Sequence, residues 1–412
     1  MMKDEFSALH KELDWQIAKR IEAETEAAHA RADADLARKR TDMLLSAMEP
    51  LFEPALRNCI EFNENSDIVF SPSSISGIAT MSQPMNPIPV VFNRCQFVAP
   101  EDLGSKLDAA FLWGRNSTME NIVVASRCLK DKCKLLLCED GFLKSADTWC
   151  ATDVPERFKE GCSLTVDDMA FYFDATRESR IEALLNSPAI HVDHVQRARA
   201  RALIKRVVSS RLSKYNHQPV GDGVSIGTKG RRKVLVVDQS YGDQSIRLGM
   251  ADETSFARML EDAKRDNPGA DILVKTHPDS MVGTRRGYYD SIREEGNVYR
   301  LSSPVNPYSL LEDVDKVYVC TTQLGFEALL AGKEVYVYGM PFYAGWGLTH
   351  DRLKCERRTN RRTLEEVFYL FYCQYTYWTN PASGTRVEIE EALDWLEGIR
   401  DEYRFWRMNG NA

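Results

Sequence analysis

Nowhere in this 412-residue chain do apolar residues run uninterrupted for the roughly 18 positions a membrane span needs, and the charged N-terminus has no signal-peptide core. The chain is therefore expected to be soluble and intracellular, or at most peripheral to a membrane. Positive charge is not in excess: 53 Lys and Arg against 61 Asp and Glu leave a net charge of −8. That balance argues against nucleic acid as the main partner, because duplex binding relies on cationic side chains that displace counterions. The ten cysteines are scattered without a CxxC or paired metal spacing. Cys133 and Cys138 fall in the apolar run KCKLLLC and read as buried free thiols of a reducing compartment. No GxxxxGK[ST] loop and no GxGxxG after a strand is present, so neither a P-loop nor a dinucleotide fingerprint is expected. No metal cluster stands out either, and no resident cofactor or metal is expected.

What is there is enough for two α/β domains and an appendage, with 43% hydrophobic residues. Residues 3–48 contain no Pro or Gly and favour one long helix, a 1–48 arm for self-association or partner docking. A first domain over 55–220 is expected to carry strands at 68–74, 88–94, 120–126 and 133–143 and a hairpin at 164–174. A short helix capped by Thr176 and a basic amphipathic helix over 194–215 follow. The polar, Gly-rich stretch 217–232 reads as a linker. A second domain over 231–380 alternates strands (233–237, 271–275, 298–301, 315–320, 334–338) with helices (253–266, 286–295, 307–312, 323–331), which implies a parallel sheet. The tail reads as helical over 363–373 and 387–405, so that residues 381–412 return toward the first domain.

Three apolar runs in the second domain end on polar groups, where open α/β sheets bind ligands. Asp238 follows VLVV and reads either as a nucleophile for an anomeric carbon or as a turn and cap residue. Lys275 and His277-Pro278 end DILVKTHP and suit a nucleotide phosphate, against a His bonded to backbone. Thr321 and Thr322, with Gln323 opening the next helix, offer hydroxyls and amides to phosphate or simply cap that helix. Glu327 reads as a ribose ligand or a buried structural carboxyl. In the first domain Glu139-Asp140-Gly141 ends KLLLC and supplies a general acid or base, or else a turn. The loop MPFYAGWGLTHDR at 340–352 either covers a sugar or base or packs between domains.

Together EDGFLKS (139–145), FYFDATRESRIEALL (171–185), VLVVDQSYGDQSI (234–246), VKTHPD (274–279) and TTQLGFEALLAGKEVYVYGMPFYAGWGLTHDR (321–352) resemble the capsule polysaccharide biosynthesis family of bacterial retaining β-Kdo glycosyltransferases. The resemblance implies an α/β, GT-B-like fold of two Rossmann-like domains facing a cleft. It also implies a CMP-β-Kdo donor, a glycan or lipid-linked acceptor and no metal. By position Asp238 takes the nucleophile's place, His277-Pro278 the CMP-binding pair, Thr321-Thr322 the phosphate hydroxyls, and Glu139 and Asp140 the acidic block that includes the acid/base. After DGFL, the run KSADTWCATDVPERF departs from the family's arginine-containing, glycine-rich sequence, which brings O-antigen-type glycans among the acceptors. Two other readings remain: an inverting enzyme for another CMP-activated donor, such as sialic acid or a polyol phosphate, and a non-catalytic assembly protein.

Overall fold

The computed structural model describes residues 119–220, 226–277 and 286–410, with the shorter stretches 61–62, 68–69, 75–79, 87–91, 95–97 and 106–114. The arm expected over 3–48, part of the linker and Pro278 lie outside the described residues. Apart from a small antiparallel pair, β1 (Glu61–Phe62) and β2 (Ile68–Val69), the strands form two sheets. The first is built from β3 (Ile75–Ala79), β4 (Cys95–Phe97), β5 (Ala109–Trp113), β6 (Lys134–Asp140) and β7 (Ser163–Asp167). The second contains β8 (Lys233–Val237), β9 (Asp271–Lys275), β10 (Val298–Leu301), β11 (Lys316–Val319), β12 (Glu334–Val337) and β13 (His350–Asp351). The chain then returns to the first sheet with β14 (Thr376–Asn380) and β15 (Thr385–Val387).

The second sheet runs β10-β9-β8-β11-β12-β13 and is parallel throughout. Its central strands are Val, Ile and Leu runs because helices cover both faces. The chain steps outward from β8 to β10 and then comes back to lay β11 on the other side of β8. This reversal opens a crevice at the carboxyl ends of β8 and β11. The first sheet is mixed: β4, β3, β5 and β6 run parallel, as a Rossmann-like domain requires, and antiparallel strands extend it on the β6 side. Its order is β15-β14-β7-β6-β5-β3-β4, and β7 is antiparallel to both β6 and β14.

Several local expectations also change. The segment 120–126 belongs to a helix, Met119–Asp131, in which Val124, Ala125 and Cys128 are buried at helical spacing, so packing outweighs the β-branched run. Ile88–Val91 is helical, its prolines suiting a first turn better than a ladder. There is no hairpin at 164–174: Asp167 accepts from the amides of Met169 and Ala170 and turns the chain out of the sheet. The following helix, Arg180–Asn186, is capped by Ser179, while the Thr176 hydroxyl donates to Asp174. His194–Ser210 ends earlier than expected at left-handed Arg211. No helix forms over the described part of 286–295.

The basic helix is answered within the chain. Arg199 pairs with Glu388 and Glu390, and Arg206 with Asp394 and Glu397, at the acidic side of the last helix, Ile389–Met408. That helix also packs on the first domain through Tyr403, whose ring lies 5.3 Å from Phe158 and whose hydroxyl donates to Asp147. One hydrophobic core joins the domains, since Phe142 of the first meets Phe342 at 5.5 Å and Phe371 at 4.9 Å. Phe342, Tyr343 and Trp346 are buried, so the 340–352 loop packs between domains. It is held by Arg358, whose Nη1 donates to the carbonyls of Pro341 and Ala344 while Nε pairs with buried Glu182 at 2.9 Å.

Removing one partner of a buried pair usually costs roughly 3–5 kcal/mol, so Arg358→Met is expected to lower the unfolding free energy by about 3 kcal/mol, Arg357 still facing Glu182. Urea unfolding reads this directly, and a loss under about 1 kcal/mol would mean the loop is held by other contacts.

Candidate functional site

Strand β6 ends on Asp140, and the turn after it is tightly pinned. A Cβ on Gly141 would run into the Ser163 side chain, so only glycine lets β6 and β7 approach this closely. The Ser163 hydroxyl in turn donates to the Leu143 carbonyl. Asp140 is 7% exposed. Its Oδ2 is held by Lys144 Nζ at 2.8 Å and faced by Lys214 Nζ at 3.5 Å, while Oδ1 has no hydrogen-bond partner. Burial works against ionisation of Asp140, but Lys144 and Lys214 outweigh it and hold the carboxyl below its usual range. Glu139 behaves in the opposite way. Burial, reinforced by the charge of Asp140, pushes it up to about 7, and its Oε1 accepts from the Asp140 amide at 2.9 Å. Two adjacent carboxyls are thus driven apart, one ionised and one near neutrality, as acid/base assignments require.

Across from them stand the ends of β8, β9 and β11. Asp238 lies there, and the residue is 2% exposed. Oδ1 accepts from the amides of Gln239 and Tyr288 at 2.9 Å each, and Oδ2 from the Tyr289 amide at 3.3 Å. Burial nonetheless pushes it up to about 6. Asp238 thereby ties the 286–289 segment over the end of β8.

Thr321, 9% exposed, is similarly engaged. Its amide donates to Gln239 Oε1 at 2.9 Å and its hydroxyl accepts from Gln239 Nε2 at 3.0 Å, which staples β11 to β8 across the crevice. Thr322 is half-buried and its Oγ1 accepts a long bond from the Leu324 amide, an open capping geometry. His277 is half-buried, with Nδ1 3.0 Å from Ser240 Oγ. Lys275 is 6% exposed and burial lowers it to about 8. Glu327, 3% exposed and raised by burial to about 7, accepts from Ser213 Oγ at 2.6 Å and Gln323 Nε2 at 3.1 Å. It belongs to the domain contact rather than to a ribose. Gln323 Nε2 also donates to the Phe142 carbonyl at 2.7 Å, so the β11 end touches the turn after Asp140.

The structure therefore brings Glu139, Asp140, Gln323 and Glu327 into one domain contact, and sets His277 beside Ser240. Lys144 and Lys214 were missed in the sequence reading. Lys144 carries a local signal, since it stands four residues after Asp140 in EDGFLKS; Lys214 carries none. Among the described residues no three His, Cys, Asp or Glu side chains gather as for a metal ion, and no helix is long and apolar enough to cross a membrane.

Residues 222–380 match the family described as capsule polysaccharide biosynthesis protein. The chain is 35% identical over 306 residues to the capsule polysaccharide modification protein LipA of Neisseria meningitidis serogroup B, covering 72% of this chain and 42% of that one. It is 36% identical over 269 residues to the lipopolysaccharide-processing protein LpsZ of Rhizobium meliloti, covering 64% of this chain and 59% of the relative. The chain thus spans about half the length of the curated relatives it matches. Among solved structures, it resembles Thermosulfurimonas dismutans KpsC, beta Kdo 2,4 transferase, with a TM-score of 0.70 and 34% identity over 79% of this chain and 98% of that one.

The raised carboxyls give the fold a pH signature. Glu139, Asp167 and Glu327 at about 7 and Asp238 at about 6 hold protons in the folded state that the unfolded chain releases down to its ordinary carboxyl range. Their contribution to stability therefore grows as pH falls from about 8 toward 5. Lys275 is charged in both states below about 8, and His217, lowered by burial, opposes the trend. Urea unfolding of the Glu327→Gln protein should show a weaker rise in stability on acidification than the parent. Equal slopes would mean that Glu327 titrates normally in the fold.

Proposed function

Because this chain belongs to the capsule polysaccharide biosynthesis family, we propose that it is a retaining glycosyltransferase moving Kdo from CMP-β-Kdo to a glycan or lipid-linked acceptor. The likeness to a beta Kdo 2,4 transferase over 98% of that chain supports the reaction class. The observation that carries the mechanism is the Glu139–Asp140 pair: an ionised carboxylate with one unpartnered oxygen, next to a carboxyl poised near neutrality. The two sheets on either side of it are read as a GT-B-like arrangement. The wall formed by Ser240, His277 and Thr322 is read as the CMP site, since it lies at the sheet's topological reversal.

In the first displacement Asp140 Oδ1 attacks the anomeric carbon. A carbon–oxygen bond forms to Asp140 as the bond to the phosphate oxygen breaks, and the electron pair leaves with CMP. In the second, the acceptor hydroxyl attacks the same carbon from the vacated face. Its proton passes to Glu139 while the bond to Asp140 breaks and its electron pair returns to the carboxylate. Two inversions give net retention. Lys144 holds Asp140 ionised and aimed, and no metal ion takes part. The nucleotide donor implies work on the cytoplasmic side, with peripheral contact to the membrane where the acceptor is lipid-linked.

NMR of the product is expected to show β-linked Kdo, and an α-linked product would exclude double displacement. Asp140→Asn should lower kcat by about 10³-fold or more. Asp238→Asn should lower stability and still turn over; the reverse pattern would return the attacking role to Asp238.

A further inference from the structure

The sequence points to Thr321 and Thr322 as the hydroxyls for a phosphate, yet Thr321 is buried and committed to Gln239. Chemistry fixes the direction of that contact. The Thr321 amide can only donate, so the Gln239 atom 2.9 Å away is the carbonyl oxygen Oε1. The other terminal atom is then Nε2, which donates to Thr321 Oγ1 at 3.0 Å. Thr321 must send its own proton elsewhere. Two acceptors lie at 3.3 Å, Gln239 Oε1 and Ser245 Oγ. Nε2 and Oε1 share one carbon, so seen from Oγ1 they lie much closer together than the tetrahedral spread of a hydroxyl's bonds. Ser245 Oγ is the acceptor that suits the proton.

The Thr321 side chain is held in this orientation from two sides. A Cβ at Gly249 or at Gly339 would run into its methyl group, and with the methyl wedged there Oγ1 stays with Gln239 and Ser245. Ser245 is half-buried in the short helix Gln244–Leu248, beside the carboxyl end of β11. Its backbone is fixed as well: the amide donates to Asp243 Oδ1 at 2.8 Å and the carbonyl accepts from the Gly249 amide at 2.9 Å. Its hydroxyl oxygen accepts from Thr321, and among the described residues no group accepts the Ser245 proton.

We infer that Ser245 donates this proton to the phosphate of the bound nucleotide, at the end of a chain that runs from Gln239 through Thr321. Each bond in such a chain polarises the next, so a hydroxyl that already accepts is a stronger donor to an anion. Thr321 is then a positioning residue, acting on the phosphate through Ser245. The inference rests on the crevice wall as the CMP site, and it holds whichever carboxylate attacks.

The test titrates the parent, Ser245→Ala, Thr321→Val and Thr321→Ser proteins with CMP and with cytidine, by NMR so that millimolar affinities can be read. Thermal unfolding serves as the folding control. A lost hydrogen bond to a charged group corresponds to roughly tenfold or more, so Ser245→Ala should weaken CMP by at least about 10-fold and leave cytidine within about twofold. Thr321→Val keeps the methyl wedge and removes the hydroxyl. It should lower the affinity for CMP and spare cytidine, and Thr321→Ser should recover most of the loss. Combining Ser245→Ala with Thr321→Val should cost less than the sum of the two, because both break one chain. Unchanged CMP affinity in Ser245→Ala would overturn the assignment, even if turnover of CMP-Kdo fell, since the hydroxyl would then serve the sugar. Equal losses for CMP and cytidine would overturn it too, by showing a role in the nucleoside pocket or in folding. A parent protein that does not bind CMP rejects the CMP-site reading itself, whereas equal CMP binding by the parent and Ser245→Ala rejects only the present inference.

Discussion

The contact between Lys144 and Asp140 is the constraint on which the rest of the site depends. A carboxylate this far from water would ordinarily take up a proton, and the adjacent ammonium is what keeps it charged. The same contact leaves Oδ1 without a partner, which is costly for stability. Charge that stays on Asp140 also discourages ionisation of Glu139, so one ion pair sets both neighbouring carboxyls. The backbone around it has little freedom: Gly141 abuts Ser163, Ser163 holds the Leu143 carbonyl, and Gln323 reaches across to Phe142.

Holding that turn against the second domain requires the domains to stay together. The shared aromatic core of Phe142, Phe326, Phe342 and Phe371 does this with apolar contact, and the Glu182–Arg358 pair and the Arg199 and Arg206 pairs add direction. The returning strands β14 and β15 and the last helix complete the first domain with residues from the far end of the chain. A path that crosses back in this way couples the two walls of the site. Glu327, buried between Ser213 and Gln323, lies at that coupling.

Much of the second domain was legible in the sequence because its signals are local. Apolar runs such as KVLVV and DILVK and the capped helix Glu253–Asp266 announce themselves within a few residues. The first domain was less legible because its pairings are not local: β7 finds β14 only after the whole second domain has been made. At the site, the acidic block 139–140 and the polar strand ends could be found by position alone. The spacing put Asp238 at a strand end, but the three amides that surround it could not be read from the sequence, because two of them come from a segment fifty residues on. Lys214 could not be seen at all, since nothing near it in sequence is acidic enough to suggest its partner.

Under the proposed mechanism the walls would have distinct tasks: the parallel sheet would hold the nucleotide, and the mixed sheet would carry the reacting groups. Mass spectrometry of protein incubated with CMP-Kdo and no acceptor, followed by peptide mapping, tests this most directly. The account predicts a Kdo adduct on the peptide containing Asp140. An adduct on the peptide containing Asp238 would contradict it.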